Sequence, residues 1–450
     1  FNEDGAYIDD NRIIIEDNYR GADLIVYGPA GSIWTQSGNV YTSNLNGKNY
    51  WSMVMLPEGM NMAEAIAYFE QYAYVFPTDT RIDWAYDEST SMVSTDYTIV
   101  PTVKEGPDST VFWGILPHHW ANLATGSAQP LDISYNTVRG ELKAISSNTF
   151  STELAYSGIL PTLPNLAKYS DSFDPAELHG MIELLKSATL PEWTDSYNQG
   201  PDMNRLIQTA RVADQIGYSE ARDEILATIR ERLEDWLTAE AGEVAFLFYY
   251  HDAWDALLGY PAGHRQDNNL NDHHFHWGYF IHAAAFLEQY MPGWAEEWSG
   301  MIDLLIRDAA NPSRTDDKFP FLRNYSPYAG HSWANGFATE PFGNDQESTS
   351  ESMQFNSALI HWGTMMGDDE IRDLGIFLYT TEHSSVNEYW FDQNKRTFQP
   401  EYGFEMVARI WGGGYDNGTW WTTDPAASYG IQIYPIHGGS LYLGHDTAYV

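Results

Sequence analysis

Two short segments carry acidic residues in patterns that could do chemistry. The first is Leu270-Asn271-Asp272-His273-His274-Phe275-His276-Trp277-Gly278-Tyr279. On a helix, Asp272, His276 and Tyr279 fall at i, i+4 and i+7 on one face. That face is polar rather than core-like, and a carboxylic acid there, at the mouth of a cleft, can protonate a leaving group. The plainer reading makes Asn271 or Asp272 an N-cap for the following helix. The second segment is Gly343-Asn344-Asp345-Gln346-Glu347-Ser348-Thr349-Ser350-Glu351. Glu347 and Glu351 are four apart and would stack on one helix face, where like charges destabilise. In a cleft such a pair raises one pKa and suits acid/base work. In solvent it is a helix N-terminus that favours acids.

Three further patterns are weaker. His273, His274 and His276 could ligate zinc, but His273 and His274 point apart and no H-E-x-x-H spacing occurs, so neither metal nor cofactor is expected. The loop Tyr325-Ser326-Pro327-Tyr328-Ala329-Gly330-His331-Ser332-Trp333-Ala334-Asn335-Gly336 is aromatic and glycine-punctuated, as in loops that line sugar clefts. Tyr197, Trp254, Trp420 and Trp421 are additional aromatic candidates, each of a type found more often in cores than in subsites.

The elements that must hold these residues divide the chain by period. Residues 1–155 read as β: Asp23 to Tyr27, Tyr50 to Leu56, Tyr97 to Val103 and Thr110 to Leu116 lie between Gly, Pro, Asn and Asp clusters. Such spacing predicts a sandwich. Pro161-Thr162-Leu163-Pro164 reads as a linker, and 156–200 as a small connecting α/β region. From about residue 170 the period becomes 3.6, with Met203, Leu206, Ile207, Ala210 and Ala213 on one stripe and Ile225, Ile229, Leu233 and Trp236 on another. Further helices are expected at about 272–290, 296–309, 346–365 and 369–383. Helical hairpins over 201–450 suggest an α/α toroid, finished by irregular loops after residue 411.

Composition narrows the ligand. Across 450 residues, 63 Asp and Glu oppose 23 Lys and Arg, a net charge of −40. Nucleic acid and anionic membranes are therefore poor partners, and so are polyanionic polysaccharides. The excess fits a saline habitat, where self-repulsion is screened. Aromatics make up 15% of the chain; their faces stack on sugar rings, so a neutral carbohydrate is favoured. With no cysteine, disulfides and thiolate metal sites are excluded. The chain opens at Phe1 without a basic and apolar leader, so the start reads as processed or truncated. No apolar run reaches a membrane-spanning length.

Together, Asn271 to His276, Gly330-His331-Ser332-Trp333-Ala334 and Gln346 to Glu351, in that order, resemble glycoside hydrolase family 81, the endo-β-1,3-glucanases or laminarinases. Leu116-Pro117-His118-His119, Asp195-Ser196-Tyr197, Asp252 to Tyr260 and Gly430 to Pro435 support the resemblance, which runs from about residue 30 to the end. It implies an N-terminal β-sandwich, a small connecting α/β region and a C-terminal (α/α)6 barrel. It implies inverting hydrolysis of internal bonds in β-1,3-glucan by a secreted, monomeric enzyme without a cofactor. Asp272 matches the family's general acid. Glu347 and Glu351 match its two essential glutamates; one is the base, and Glu347 is favoured. Tyr197, His276, Tyr279, His331 and Trp333 stand where sugar contacts are expected. Two departures stand out. Gly200-Pro201 replaces the family's Gly-Lys, which puts a sugar-binding lysine in doubt, and the segment before residue 30 is short of β-sequence for a full sandwich.

Three other readings share parts of this pattern. A non-catalytic β-glucan-binding module would use the same aromatic cleft. An α/α-toroid polysaccharide lyase would need basic residues, and Arg265 and Arg323 are the nearest to the motifs. A zinc hydrolase comes third.

Overall fold

The computed structural model describes residues 6–16, 21–164, 172, 174–188, 190–336 and 340–449. The chain mixes small β-sheets with long helices and divides into two compact units. One comprises Phe1–Trp84 with Ser94–Glu153; the other comprises Ala85–Val93 with Leu154–Val450. Among the described residues no helix is long and apolar enough to cross a membrane.

The first unit is built on an antiparallel sheet of β1 (Ala6–Asp9), β2 (Arg12–Ile15), β3 (Leu24–Tyr27) and β6 (Ser52–Met55), in that order. The run Ile13-Ile14-Ile15 shows why the sheet is covered on both faces. Successive side chains point to opposite faces, so Ile13 and Ile15 join Val26 and Tyr41, while Ile14 joins Ile25, Tyr27 and Phe69. Phe69 comes from α1 (Met62–Glu70), capped by the Asn61 side chain. β4 (Trp34–Ser37) and β5 (Val40–Ser43) form a hairpin. Two three-stranded sheets follow. β10 (Ser134–Thr137), β11 (Gly140–Ser146) and β9 (Phe112–Ile115) make one; β12 (Thr149–Ala155), β8 (Met92–Val103) and β7 (Val75–Asp87) make the other. The strands expected near residues 23–27, 50–56, 97–103 and 110–116 are all present. A single turn, α2 (Pro117–Trp120), follows β9.

The second unit is mainly helical. α3 (Pro175–Lys186) lies within the 156–200 stretch, part of which falls outside the described residues. α4 (Ser196–Gln215) and α5 (Ser219–Leu237) follow, with the expected stripes buried. A hairpin of β13 (Leu247–His251) and β14 (Ala256–Tyr260) leads to α6 (His273–Tyr290) and α7 (Ala295–Ala310). α8 (Thr349–Met366) and α9 (Asp369–Tyr389) form the next pair. α6 is buried from His273 to Leu287, as a helix surrounded by others must be. It meets α8 closely at Gly278, where a Cβ would sit 3.0 Å from the Phe355 Cα; any side chain there would push the helices apart. Three short strands, β17 (Asp345–Gln346), β18 (Arg409–Trp411) and β19 (Gly414–Asp416), join the approach to α8 with the region beyond α9. α10 (Pro425–Ile433) closes the sequence of helices.

Candidate active site

Asp272 occupies the N-cap position of α6 but does not cap it. Its backbone is left-handed (φ 59°), and its side chain makes no capping bond. The plainer alternative, in which Asp272 caps the helix, therefore does not hold. A left-handed aspartate is tolerated where local bonds hold it. Here the Asp272 N–H donates to Ala334 O at 2.7 Å, and the Asn271 amide donates to both Asp272 Oδ2 (2.6 Å) and His264 O (2.9 Å). The carboxyl is thereby turned away from the helix, into a cleft of about 530 Å³ in the second unit.

Below it, His273 anchors the start of α6. Its Nδ1 is 2.5 Å from Asp308 Oδ2 and its Nε2 is 2.9 Å from Gln266 O. Asp308 also accepts from Trp277 Nε1 (2.7 Å) and Leu257 N (3.0 Å) and pairs with Arg323. Burial alone would raise the Asp308 pKa, but the facing His273 and Arg323 more than offset it and hold it down. A buried aspartate satisfied this fully is a rigid footing. His274 turns the other way, to Gln346. Among the described residues no group of three or more His, Cys, Asp or Glu is arranged to hold a metal ion.

Glu347 and Glu351 reach the same cleft from the start of α8. The helix begins only at Thr349, with Ser348 as its cap accepting from Glu351 N. The expected i, i+4 stack therefore does not form: Glu347 precedes the helix and Glu351 lies in its first turn. Glu351 is buried, 8% exposed, and its Oε1 accepts from the Tyr279 hydroxyl at 2.7 Å. The Tyr197 hydroxyl bonds the same carboxylate. Glu347 is half-buried; its Oε1 accepts from Trp420 N at 3.3 Å, and its backbone carbonyl accepts from Gln432 Nε2 at 2.9 Å.

The acids share one field. Burial first, then the charges of Glu347, Asp345 and Glu351, push the Asp272 carboxyl well above the usual carboxylate range. Burial raises Glu347 to about 7, against the opposing Trp420 N–H and the Arg409 charge. Burial also raises Glu351, while its three hydroxyl donors hold it down. Such a set can keep one carboxyl protonated beside another that is ionised.

Sequence reasoning missed part of the cleft. Asp345, Asn335, Glu340, Arg265, His264 and Phe275 line it beside Trp420 and Trp421. Asp345, two residues before Glu347, was legible as a third acid of the motif. It accepts from Asn335 Nδ2 (3.0 Å) and from Trp420 Nε1 (3.2 Å). The walls contain five carboxylates and one arginine.

Of the expected sugar contacts, Tyr197 lines the cleft. His276 and Tyr279 stand behind it. His276 is fully buried, with Nδ1 2.8 Å from Ser196 Oγ, and both rings pack near the Tyr197 ring. His331 is also fully buried, packed against Trp333 and Trp390, and neither His331 nor Trp333 belongs to the cleft lining. Of the five residues expected to contact sugar, Tyr197 is the one in the cleft lining; His276 and Tyr279 pack behind its ring, and His331 and Trp333 lie outside that lining. His331 lies in β16 (His331–Ser332), which pairs with β15 (Tyr325–Ser326); Trp333 follows the strand and leads to Ala334, the acceptor for Asp272 N. Ser332 in that strand bonds buried Glu382 through both its N–H (2.9 Å) and its hydroxyl (3.1 Å). Trp254 stacks on His251, away from the cleft lining. At Gly200, which precedes the departure at Pro201, a Cβ would lie 2.4 Å from the Tyr279 ring, so packing requires a glycine there.

Comparison with known proteins agrees with these motifs. Residues 183–450 match the glycosyl hydrolase family 81 C-terminal domain. A glucan endo-1,3-beta-D-glucosidase of Acetivibrio thermocellus is 42% identical over 435 residues, covering 96% of this chain and 55% of that protein. One from Thermobifida fusca is 38% identical over 431 residues, with 95% and 55% covered. The solved structure of a family 81 glycoside hydrolase from Clostridium thermocellum, in a mutant form, superimposes with a TM-score of 0.92 at 40% identity, covering 98% of this chain and 61% of that one. The chain thus spans about half the length of these curated relatives. With the family domain matched over more than half of its residues, the chain belongs to glycoside hydrolase family 81.

Proposed function

We propose that this chain hydrolyses internal β-1,3-glucosidic bonds of a neutral β-1,3-glucan by an inverting acid/base mechanism. One observation carries the reading: Asp272 and, far from it in sequence, Glu347 and Glu351 line a single cleft walled by Tyr197, Phe275, Trp420 and Trp421. Asp272, held protonated, gives its proton to the leaving glycosidic oxygen. Glu347, half-open to the cleft and titrating near neutrality, takes a proton from the attacking water. Glu351, buried and bound by two tyrosines and a serine, orients the water or sugar. Inversion asks for about 6.5–9.5 Å between acid and base carboxyls, room for that water. The relatives' names support the substrate, and five wall carboxylates against one arginine disfavour a polyanion.

In this reading residues 1–155 belong to a β-sandwich, 156–200 to a connecting region and 201–450 to an (α/α)6 barrel, supported by the sheets of the first unit and the helix pairs of the second. The enzyme acts as an extracellular monomer; its net charge of −40 supports work in saline surroundings.

The test is reducing-end release from laminarin, with wild type beside Asp272→Asn. Acid–base groups typically contribute 10²–10⁴-fold, so the mutant should lose at least ~10²-fold in turnover. Equal release by both would remove Asp272 from the mechanism. Glucan binding without release by wild type would instead favour a binding module, and an unsaturated, ultraviolet-absorbing product a lyase.

A further inference from the structure

We propose that Arg409 is a positioning residue for Glu347: clamped between Trp411 and Trp420, it holds the Trp420 loop against Glu347 and sets a fixed positive charge beside that carboxylate. The role rests on the hydrolase reading of the cleft.

Arg409 opens β18, whose next two residues pair with β17: Ile410 lies opposite Gln346 and Trp411 opposite Asp345. The strand is thus tied to the residue immediately before Glu347. The guanidinium carbon is 4.2 Å from the Trp420 ring centre and 4.9 Å from that of Trp411. The two indoles meet at 73°, 5.4 Å apart. Nη2 donates to Asp416 Oδ2 at 2.9 Å, which fixes the orientation. Nε and Nη1 are buried and have no hydrogen-bond acceptor. Leaving buried donors unmade is unfavourable, and contact with two indole faces offsets part of that. A lysine could not fill this slot, because its point charge lacks the planar face.

The clamp acts on both acids of the segment. Trp420 gives its backbone N–H to Glu347 Oε1 and its indole N–H to Asp345 Oδ2. Trp420 is 54% exposed, so the Arg409 and Trp411 contacts, with these two bonds, are what order it. The groups facing Glu347 are Asp345 from β17, Glu351 from α8, Asp272 at the start of α6, Tyr197 from α4 and Arg409 from β18. Among these Arg409 is the cation, and its charge opposes burial at both Glu347 and Asp345.

Two readouts on Arg409→Met and Arg409→Lys test this. The first is the pH profile of kcat on laminarin. Arg409→Met should lose about tenfold or more in kcat, with KM less affected, and its acid limb should move up by about one pH unit or more. Arg409→Lys should keep the acid limb near wild type yet still lose turnover, because charge returns without stacking. The second is infrared titration of the Glu347 carboxyl, assigned by difference from Glu347→Gln, which needs no turnover. An unmoved Glu347 titration in a folded Arg409→Met variant overturns the proposal. If Arg409→Met does not fold, an Arg409→Lys variant with wild-type kcat overturns it. If wild type releases no sugar but the titration shifts as stated, the hydrolase reading fails and the positioning of Glu347 stands.

Discussion

The Tyr279 hydroxyl donates to Glu351 Oε1 across 2.7 Å, inside the protein. Tyr279 lies on α6, seven residues after Asp272, and Glu351 lies in the first turn of α8, four residues after Glu347. The bond therefore ties the helix that follows Asp272 to the helix that follows Glu347.

Tyr279→Phe removes that donor and leaves Glu351 with Tyr197 and Ser348. An acceptor deprived of a partner in a dry site costs about 1–3 kcal/mol. The hydroxyl also holds the Glu351 pKa down, so its loss moves the carboxyl further up. The expected outcome is a lower urea midpoint and roughly tenfold slower sugar release. Wild-type turnover in the variant would mean that Glu351 needs no fixed orientation.

Glu347 couples activity and stability to pH in opposite senses. Its carboxyl in the folded protein is raised from 4.5 to about 7. If Glu347 is the base, as proposed, it must be ionised, so kcat/KM should rise with pH through about 7 while Asp272, raised by burial and three neighbouring acids, keeps its proton. For stability the sign reverses. A raised folded pKa means that the protonated form stabilises the fold; that contribution is complete below about 4.5 and is lost as pH climbs through about 7. Glu347→Gln stays neutral throughout. Its melting temperature should exceed wild type above pH 7, and the gain should vanish near pH 4. A gain independent of pH would show that the effect is packing rather than charge.

Gly200→Ala tests the packing behind Tyr279. The new Cβ would meet the Tyr279 ring at 2.4–2.7 Å, and overpacking of this kind costs about 1–3 kcal/mol. Activity should fall with stability, because the ring that moves carries the Glu351 donor. Gly200→Ala combined with Tyr279→Phe should lose less activity than the two single effects multiplied, since both act through one ring. Full additivity in a double-mutant cycle would place the effect of Gly200 elsewhere.

The motifs made much of the site legible in advance. Asp272, Glu347 and Glu351 could be named as candidates from their type and spacing; helix period placed α6, α7 and α8 to within about three residues and the start of α9, but not its end. Other features could not be read. The left-handed turn at Asp272 depends on Ala334, more than sixty residues on, which accepts its N–H. Asp308, the footing of His273, is an ordinary-looking aspartate near the end of an amphipathic helix. Arg409 carries no motif at all; only strand pairing brings it beside the Glu347 segment.

Residue type, charge and local period are short-range properties, so the sequence could single out candidate acid/base residues and mark which segments are helix or strand, and its charge led us to expect a neutral ligand. Long-range contacts had to settle that Asp272 makes no capping bond, that Glu347 lies outside the helix of Glu351, and that His276 and His331 are fully buried. Those outcomes depend on burial and on hydrogen bonds between residues tens of positions apart, and no local pattern encodes them.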